Sequence, residues 1–201
     1  MDKPADTQYP IHDLFRRRWS PRAFSNRPVE DETLLSVLEA ARWAPSSFNE
    51  QPWRFLMASQ ENSDEFERML GCLMEVNQAW AQAAPVMMIS MAKTYFGDDP
   101  AKTNRHAFHD VGLATSQLVL QALDHGLYVH QMAGFDPSKT REVYAIPEGF
   151  EPVAGIALGY PGKPEDLPAK LAERERKPRT RMALSELVFD KRWGETSRLV
   201  G

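Results

Sequence analysis

The sequence is poor in cysteine and lacks long apolar runs. Cys72 is the single cysteine among 201 residues, so no disulfide can form within the chain, and a reducing compartment is predicted. No apolar run approaches the ~20 residues that a membrane helix needs. The polar start of the chain, with Arg16, Arg17 and Arg18 in succession, does not resemble a signal peptide. These absences predict a soluble, cytoplasmic protein in which Cys72 is a small buried hydrophobe.

The common signature motifs of enzymes are also missing. The sequence contains no GxGxxG fingerprint, no phosphate-binding P-loop, no GxSxG nucleophile motif and no HExxH metal motif. The five histidines show no ligand spacing supported by cysteines, so no metal site is predicted. A Rossmann-type dinucleotide site and the usual hydrolase sites are therefore disfavoured.

The charge of the chain is mildly negative but unevenly distributed. Lys and Arg number 24 against 28 Asp and Glu, which gives −4 and argues against general nucleic-acid binding. Two basic clusters near opposite ends of the chain stand out against this average. They consist of Arg16, Arg17, Arg18 and Arg22, and of Arg174, Arg176, Lys177, Arg179 and Arg181.

Hydrophobic periodicity predicts an α+β chain in which helices alternate with separated strands. Helices are predicted over 10–18, 30–43, 62–75, 77–84, 105–125 and 136–144, and strands over 53–59, 85–92, 128–133 and 153–158. The helix at 105–125 is apolar on more than one face, which predicts burial in the core or at a subunit interface. Residues 163–201 are charged and poor in core residues, so they are expected to reach across another surface.

Two short segments carry unusual side chains. Residues 18–24 (RWSPRAF) place guanidinium groups and a hydroxyl at a turn, and guanidinium forks suit phosphate oxygens. Residues 45–53 (PSSFNEQPW) place hydroxyls and amides between prolines, where a loop can contact a planar heteroaromatic ligand. Taken separately, the first segment is better explained as a solvated basic helix end, and the second is a weak signal that an ordinary helix-to-strand connection also explains.

Together the two segments resemble the nitroreductase family of flavoproteins, whose patterns are approximately R-x-S-x-[RK]-x-F and P-S-S-x-N-x-Q-P-W. The resemblance continues in residues 77–80 (NQAW), 130–135 (HQMAGF), 157–161 (ALGYP) and 179–181 (RTR). It covers nearly the whole chain, and residues 45–53 are its most specific part.

The resemblance implies a fold and a function. The expected fold is an α+β three-layer α/β/α sandwich with a central, mostly antiparallel sheet. Residues 1–201 would form one FMN-binding domain of an interlocked homodimer, in which residues 163–201 reach the partner subunit. NAD(P)H would reduce FMN and leave before a nitroaromatic, quinone or similar acceptor enters, which is a ping-pong mechanism. Because the flavin carries the hydride, no catalytic side chain is expected.

The resemblance also implies which residues bind the cofactor. One subunit would contribute Arg18, Trp19, Ser20, Arg22, Asn77, Arg179 and Arg181, and the other Pro45, Ser46, Ser47 and Asn49. Gln131, Met132 and Gly134 would lie near the flavin ring, with backbone contacts near N5. A lid over the substrate would include Tyr95, Phe96, His106 and Phe108, although ordinary core packing explains these four equally well. Where some members have a lysine near the flavin N1–O2 edge this chain has Trp80, so Arg22 would carry more of that charge.

Three alternatives remain at the level of sequence. The same fold could act on halogenated aromatics, unsaturated carbonyl compounds or flavin itself, because a fold does not fix a function. The chain could bind flavin without turnover, or the two arginine clusters could bind nucleic acid. The sequence favours neither NADH nor NADPH as the donor.

Overall fold

The computed structural model describes all 201 residues and contains seven α-helices and four β-strands. The helices are α1 (Asp13–Arg17), α2 (Asp31–Arg42), α3 (Ser63–Leu70), α4 (Glu75–Ala81), α5 (Ala107–Asp124), α6 (Pro137–Val143) and α7 (Ala169–Arg176). The strands are β1 (Trp53–Ser59), β2 (Val86–Lys93), β3 (Tyr128–Met132) and β4 (Phe150–Gly159). The predicted α+β class and all four predicted strands are confirmed.

The four strands form one sheet in the order β1-β2-β4-β3, and every neighbouring pair is antiparallel. Seven consecutive residues of β2, from Val86 to Ala92, are buried. A strand becomes apolar on both sides when both faces of its sheet are covered. The prediction that this run is a central strand is therefore confirmed.

Helices cover both faces of the sheet. Val86, Met88 and Ala92 of β2 pack on one face into a core that includes residues of α2 and α5. Met87 and Ile89 point to the opposite face and pack with residues of α3 and α4. This alternation follows from the two-residue period of a strand. The predicted three-layer sandwich is therefore observed.

The helix predicted over 62–75 is shorter in the structure, where α3 ends at Leu70. The chain turns there because residues 72–74 bond to the segment that follows β3 instead of continuing the helix. Cys72 accepts a hydrogen bond from Asp136 N at 2.8 Å, and Met74 N donates to Gly134 O at 3.0 Å. The Cys72 side chain is buried, as predicted.

Helices α1 and α5 differ in how much of their surface they bury. The predicted helix 10–18 is only the five-residue α1, and none of its residues is buried. Helix α5 buries one side, but Phe108 at its start is 52% exposed, so the helix is not enclosed within this chain. None of the seven helices, α5 included, combines the length and apolar character that a membrane span requires.

The C-terminal tail has two parts with different behaviour. Residues 169–176 form α7, which buries Leu171, Ala172 and Glu175, so the description of the whole tail as poor in core residues is wrong there. These three residues share one face of the helix, and that face packs on the body of the protein. Residues 184–201 differ, because they hydrogen-bond only with each other and with Ala183.

Candidate functional site

Residues 18–25 form an irregular segment at one end of the sheet. Ser25 N donates to Tyr160 O at 2.9 Å, and Gly162 N donates to Ala23 O at 2.8 Å. The Phe24 ring is buried and stacks on Trp80, with ring centroids 6.2 Å apart. These contacts fix the segment beside the point where β4 ends, and they leave the polar residues before it at the surface.

The two basic clusters of the sequence meet beside this segment in an open groove of about 310 Å³. Seven cationic side chains line the groove: Lys3, Arg18, Arg22, Arg174, Lys177, Arg179 and Arg181. Ser20 lies in the same wall, and Glu175 is the single carboxylate among the lining residues. Arg16, Arg17 and Arg176 stay outside the groove and pair with Asp13 and Glu165.

The arginines of the groove perturb one another. Burial lowers the pKa of Arg18, and the neighbouring charges of Arg179 and Arg181 lower it further. Arg18 donates to Ser20 Oγ at 3.3 Å and has no carboxylate partner. Repulsion between unpaired guanidinium groups is relieved when an anion binds between them. The groove therefore has the electrostatic character of an anion site.

Arg179 and Arg181 differ in how they are used within the chain. Arg179 Nη1 donates to the backbone oxygens of Lys3 and Arg16, at 2.8 and 3.0 Å, and so fastens the N-terminal segment. The exposed Arg181 donates only to the oxygen of its neighbour Thr180. Arg181 thus keeps more donors for an external anion than Arg179 does.

Trp19 lies at the base of this region with its indole buried. Its ring meets Tyr128 edge-on at 6.1 Å, and the Lys3 ammonium lies 4.7 Å from its centroid. The indole nitrogen has no hydrogen-bond partner within the chain. The Trp19 side chain therefore packs beneath the groove rather than extending from it.

Asn77 and Gly134 meet next to the edge strand β3. Asn77 Nδ2 donates to Gly134 O at 2.9 Å, and Trp80 Nε1 donates to Asn77 Oδ1 at 3.2 Å. A Cβ atom on Gly134 would collide with the Asn77 amide, so a larger residue here would displace that side chain. Met132 is buried and Gln131 is exposed on β3. Four of the predicted cofactor-binding residues are thus gathered along one edge of the sheet.

The loop at 45–51 has a strained backbone. Phe48, Asn49 and Gln51 all have positive φ angles, of 52°, 56° and 50°, a region that side-chain-bearing residues seldom occupy. The buried Asp110 at the start of α5 accepts a hydrogen bond from Ser47 N at 3.0 Å. Ser46 Oγ accepts from Gln51 N at the same distance. The loop is therefore held in place from inside the chain.

A second tie joins this loop to the connection between β2 and α5. Glu50 Oε1 lies 3.1 Å from Lys93 Nζ and accepts from Gly97 N at 2.9 Å. Lys93 also donates to the Gly97 oxygen. These bonds hold the loop against the neighbouring connection. Pro45 and Asn49 are both exposed, and the side-chain amide of Asn49 makes no hydrogen bond within the chain.

The four predicted lid residues are divided in the structure. Tyr95 packs within the chain, edge-on against Phe150 and against Gly149. Phe96 meets Phe48 edge-on at 5.8 Å, and Phe48 is 90% exposed. His106 and Phe108 are exposed at the start of α5. Phe48 was not among the predicted substrate residues. The sequence signal for it is an aromatic residue within an otherwise polar motif.

The groove and the loop at 45–51 lie at opposite ends of the sheet. The groove segment borders the end of β4, whose Leu158 pairs with Val86 at the start of β2. The loop precedes Trp53, which pairs with Ala92 near the end of β2. Strands rise about 3.3 Å per residue, so the two regions are separated by roughly 20 Å within one chain.

Glu175 was missed at the level of sequence. It lies on α7 inside a run of alternating charges, yet it is 1% exposed, and its Oε1 accepts from Arg22 N at 2.8 Å and Ala23 N at 3.1 Å. The available signal was its position on the same helical face as Leu171 and Ala172. Asp110, which secures the loop at 45–51, was missed in the same way.

Comparison with known proteins gives consistent matches along the chain. The model of the Nitroreductase family matches residues 15–160. An uncharacterized 15.4 kDa protein of Mycolicibacterium smegmatis is 36% identical over 132 residues, which cover 66% of this chain and 87% of that protein. A Streptomyces coelicolor protein with the provisional name NADH dehydrogenase/NAD(P)H nitroreductase is 27% identical over 169 residues, covering 75% and 83%.

Solved structures share the fold. A crystal structure described as an oxidoreductase containing FMN is 36% identical, with a TM-score of 0.89 over 95% of this chain and 96% of that one. A nitroreductase family protein from Clostridium difficile 630 is 26% identical, with a TM-score of 0.69 over 89% and 96%. Together with the observed layers, these matches confirm the predicted fold.

Proposed function

Because the chain belongs to the nitroreductase family, we propose that it is an FMN-dependent oxidoreductase that takes electrons from NAD(P)H. The names of its relatives support this, since one similar structure contains FMN and a similar protein is provisionally named an NAD(P)H nitroreductase. The observation that carries the proposal is the groove in which seven cationic side chains face a single buried carboxylate.

The groove fits a phosphate group. A phosphomonoester carries nearly two negative charges and three acceptor oxygens at neutral pH. Arg18, Arg22 and Arg181 would hold it with charge-assisted bonds, and Ser20 would add a hydroxyl. Burial and the charges of Arg179 and Arg181 lower the pKa of Arg18. A bound anion would offset this repulsion between the positive charges.

The edge of the sheet would hold the ring system. Asn77, Gly134 and the backbone of β3 present polar groups along an edge strand that has no partner on its outer side within the chain. Bound FMN would supply the hydride-accepting chemistry. The chain would supply placement.

The site would be completed by a second copy of the chain. The loop at 45–51 lies about 20 Å from the groove within one chain, so its Ser47 and Asn49 would reach a flavin only from a partner. The tail at 184–201 makes no hydrogen bond with the body of its own chain, and Trp193 and Leu199 are 91% and 84% exposed. We therefore propose a homodimer in which this tail covers the partner subunit.

The acceptor would be a small planar molecule. The exposed Phe48 ring beside Phe96 offers an aromatic surface, and planar rings stack favourably on such surfaces. This favours nitroaromatics and quinones. If donor and acceptor use the same space in turn, double-reciprocal plots at several acceptor concentrations give parallel lines. Intersecting lines would contradict the alternating order.

The test is an anaerobic absorbance spectrum of the purified protein before and after addition of NADPH and, separately, NADH. The proposal predicts the bands of oxidised flavin, which are bleached by at least one of the two donors. Flavin that neither donor bleaches would show a binding module without this activity. A colourless protein that cannot be reconstituted with FMN would contradict the proposal that the chain binds FMN.

A further inference from the structure

We propose that Glu175 is a positioning residue of the groove, which fixes Arg22 so that its guanidinium meets an incoming phosphate. The inference rests on the proposed function, because it concerns how the chain prepares the site for the phosphate of FMN. Glu175 itself lies below the groove surface and is 1% exposed. Its side chain therefore makes no direct contact with a bound anion, and it can position a ligand-binding group only through its neighbours.

The first observation concerns the backbone. Glu175 Oε1 accepts two backbone hydrogen bonds, from Arg22 N at 2.8 Å and from Ala23 N at 3.1 Å. The acceptor lies 152 and 153 residues away along the chain, on helix α7. This one oxygen thus fastens the irregular segment at Arg22 and Ala23 to a regular element.

The second observation concerns the other carboxylate oxygen. Glu175 Oε2 is buried and has no hydrogen-bond partner, and the nearest cation is Arg22 Nη1 at 3.9 Å. A buried carboxylate oxygen without a hydrogen bond is costly. It attracts the Arg22 guanidinium without holding it in a close ion pair, so the donors of Arg22 stay available to a ligand.

The charge of Glu175 taken alone points in the opposite direction. A negative charge beside an anion site weakens anion binding, because like charges repel. A carboxylate at this place therefore favours phosphate binding only if its effect on the position of Arg22 outweighs the repulsion. Variants that separate the acceptor geometry from the charge decide between these two effects.

The experiment compares Glu175→Gln with Glu175→Ala in the full-length protein freed of flavin. Calorimetric titration gives the dissociation constants of FMN and, separately, of inorganic phosphate. Gln keeps an oxygen that can accept both backbone bonds and removes the repelling charge, so FMN should bind as tightly as in the wild type or more tightly. Ala removes the acceptor, and the dissociation constants of FMN and phosphate should rise about tenfold.

Glu165 supplies the matched control. It is an exposed carboxylate that pairs with Arg176, which is outside the groove. Glu165→Gln and Glu165→Ala remove the same charge from the same part of the molecule, and both should leave FMN affinity within about twofold of the wild type.

A double-mutant cycle tests whether Glu175 acts through Arg22. Adding Glu175→Ala to Arg22→Ala should weaken FMN binding no further, because the group being positioned is already gone. A full additional tenfold loss in the double variant would overturn the proposed route. Thermal unfolding of each variant separates a loss of affinity from a loss of fold.

The other outcomes are also decisive. If Glu175→Ala lowers the melting temperature but leaves the FMN dissociation constant unchanged, Glu175 is structural and the inference fails while the proposed function stands. If both variants bind FMN more tightly, only its charge matters and the inference again fails. If wild-type protein binds phosphate but not FMN, the proposed function fails and the phosphate constants still decide the role of Glu175. If it binds neither, both fail.

Discussion

The arginines of the groove are not equivalent, because the chain already uses some of their donors. Arg179 is bonded to two backbone oxygens of the N-terminal region, whereas Arg181 is bonded only to its neighbour. Arg18 has a serine hydroxyl but no carboxylate. The resemblance to the family marks all three as phosphate ligands, and only the contacts show that Arg179 has a structural role as well.

Replacing Arg181 by alanine should therefore weaken FMN retention without unfolding the protein. Loss of a charge-assisted bond to phosphate should raise the FMN dissociation constant about tenfold or more. The melting temperature should change little, since the exposed side chain makes no other contact of note. Arg176→Ala is the control, because this exposed arginine pairs with Glu165 outside the groove. An unchanged FMN constant in the Arg181 variant would remove this residue from the site.

We expect His130 to make the stability of the fold depend on pH. Burial, opposed by a hydrogen bond to Pro21 O at 2.8 Å and reinforced by the charge of Arg22, lowers its pKa to about 4. The unfolded chain titrates near its usual 6.5, so between these values the unfolded state binds a proton that the folded state does not. The free energy of unfolding should fall through this window as the pH drops, by at most about 3 kcal/mol.

Urea unfolding at pH 7 and pH 4.5 measures this effect. The amide of His130→Gln can still donate to Pro21 O but does not titrate, so the wild type should lose more stability than the variant between these pH values. Equal losses in the two proteins would show that His130 does not contribute to the pH dependence.

At the scale of elements, the backbone of the loop at 45–51 is strained. This is the loop for which the family resemblance implies contacts with the flavin. Positive φ angles at three of the four residues 48–51, none of them glycine, are costly. The loop keeps this shape because Asp110 and Lys93 hold it from two sides. Strain of this kind persists when its surroundings over-determine the conformation.

Replacing Phe48 by glycine should reveal this strain. Phe48 is mostly exposed and has a φ of 52°, so glycine removes the backbone cost while little packing is lost. Phe48→Gly should be more stable than Phe48→Ala by about 1 kcal/mol in urea unfolding. Turnover of nitroaromatics should fall in both variants, because both lack the aromatic surface. A glycine variant less stable than the alanine variant would argue against the strain.

The strands of this fold are predictable from sequence, whereas α7 and the end of α3 are not. Each strand contains apolar residues that lie close together in the sequence, and β2 is the clearest case. Helix α7 has only Leu171 and Ala172 as buried apolar residues, and Glu175 is buried through contacts with residues about 150 positions away. Helix α3 ends early because residues 72–74 bond to residues 134–136. Such long-range bonds leave no local pattern.

The residues of the candidate site likewise divide into those that the sequence predicts and those that it does not. The segments at 18–22 and 45–49 were found because their order and spacing resemble those of a known family. Asp110 and Glu175, which support these segments, were not found, because each is an ordinary acidic residue until the fold buries it. The sequence likewise gave no measure of the distance between the two segments.

At the scale of the whole molecule, one chain holds the groove and the loop at 45–51 far apart, and its tail makes no hydrogen bond with its own body. Deletion of residues 184–201 should leave the fold of each chain intact, because no hydrogen bond joins them to the residues before Ala183. The deleted protein should dimerise more weakly and lose FMN. Light scattering during gel filtration, with the flavin content of the peak, measures both. A truncated dimer that retains FMN would remove the tail from the interface.

The central claim is that one FMN site is built from two copies of the chain. Subunit mixing tests it directly, with Arg22→Ala/Arg181→Ala as one partner and Ser47→Ala/Asn49→Gly as the other. Each variant alone should bind little FMN. In a mixed dimer, one site would combine all the altered residues and the other would be entirely intact.

The decisive measurement is the FMN content of purified mixed dimers, isolated with two different affinity tags. The shared-site account predicts about one FMN for each mixed dimer, at wild-type affinity. If each site were built within a single chain, every site in the mixed dimer would carry one defect. A mixed dimer that binds FMN as poorly as its two parents would therefore contradict the account.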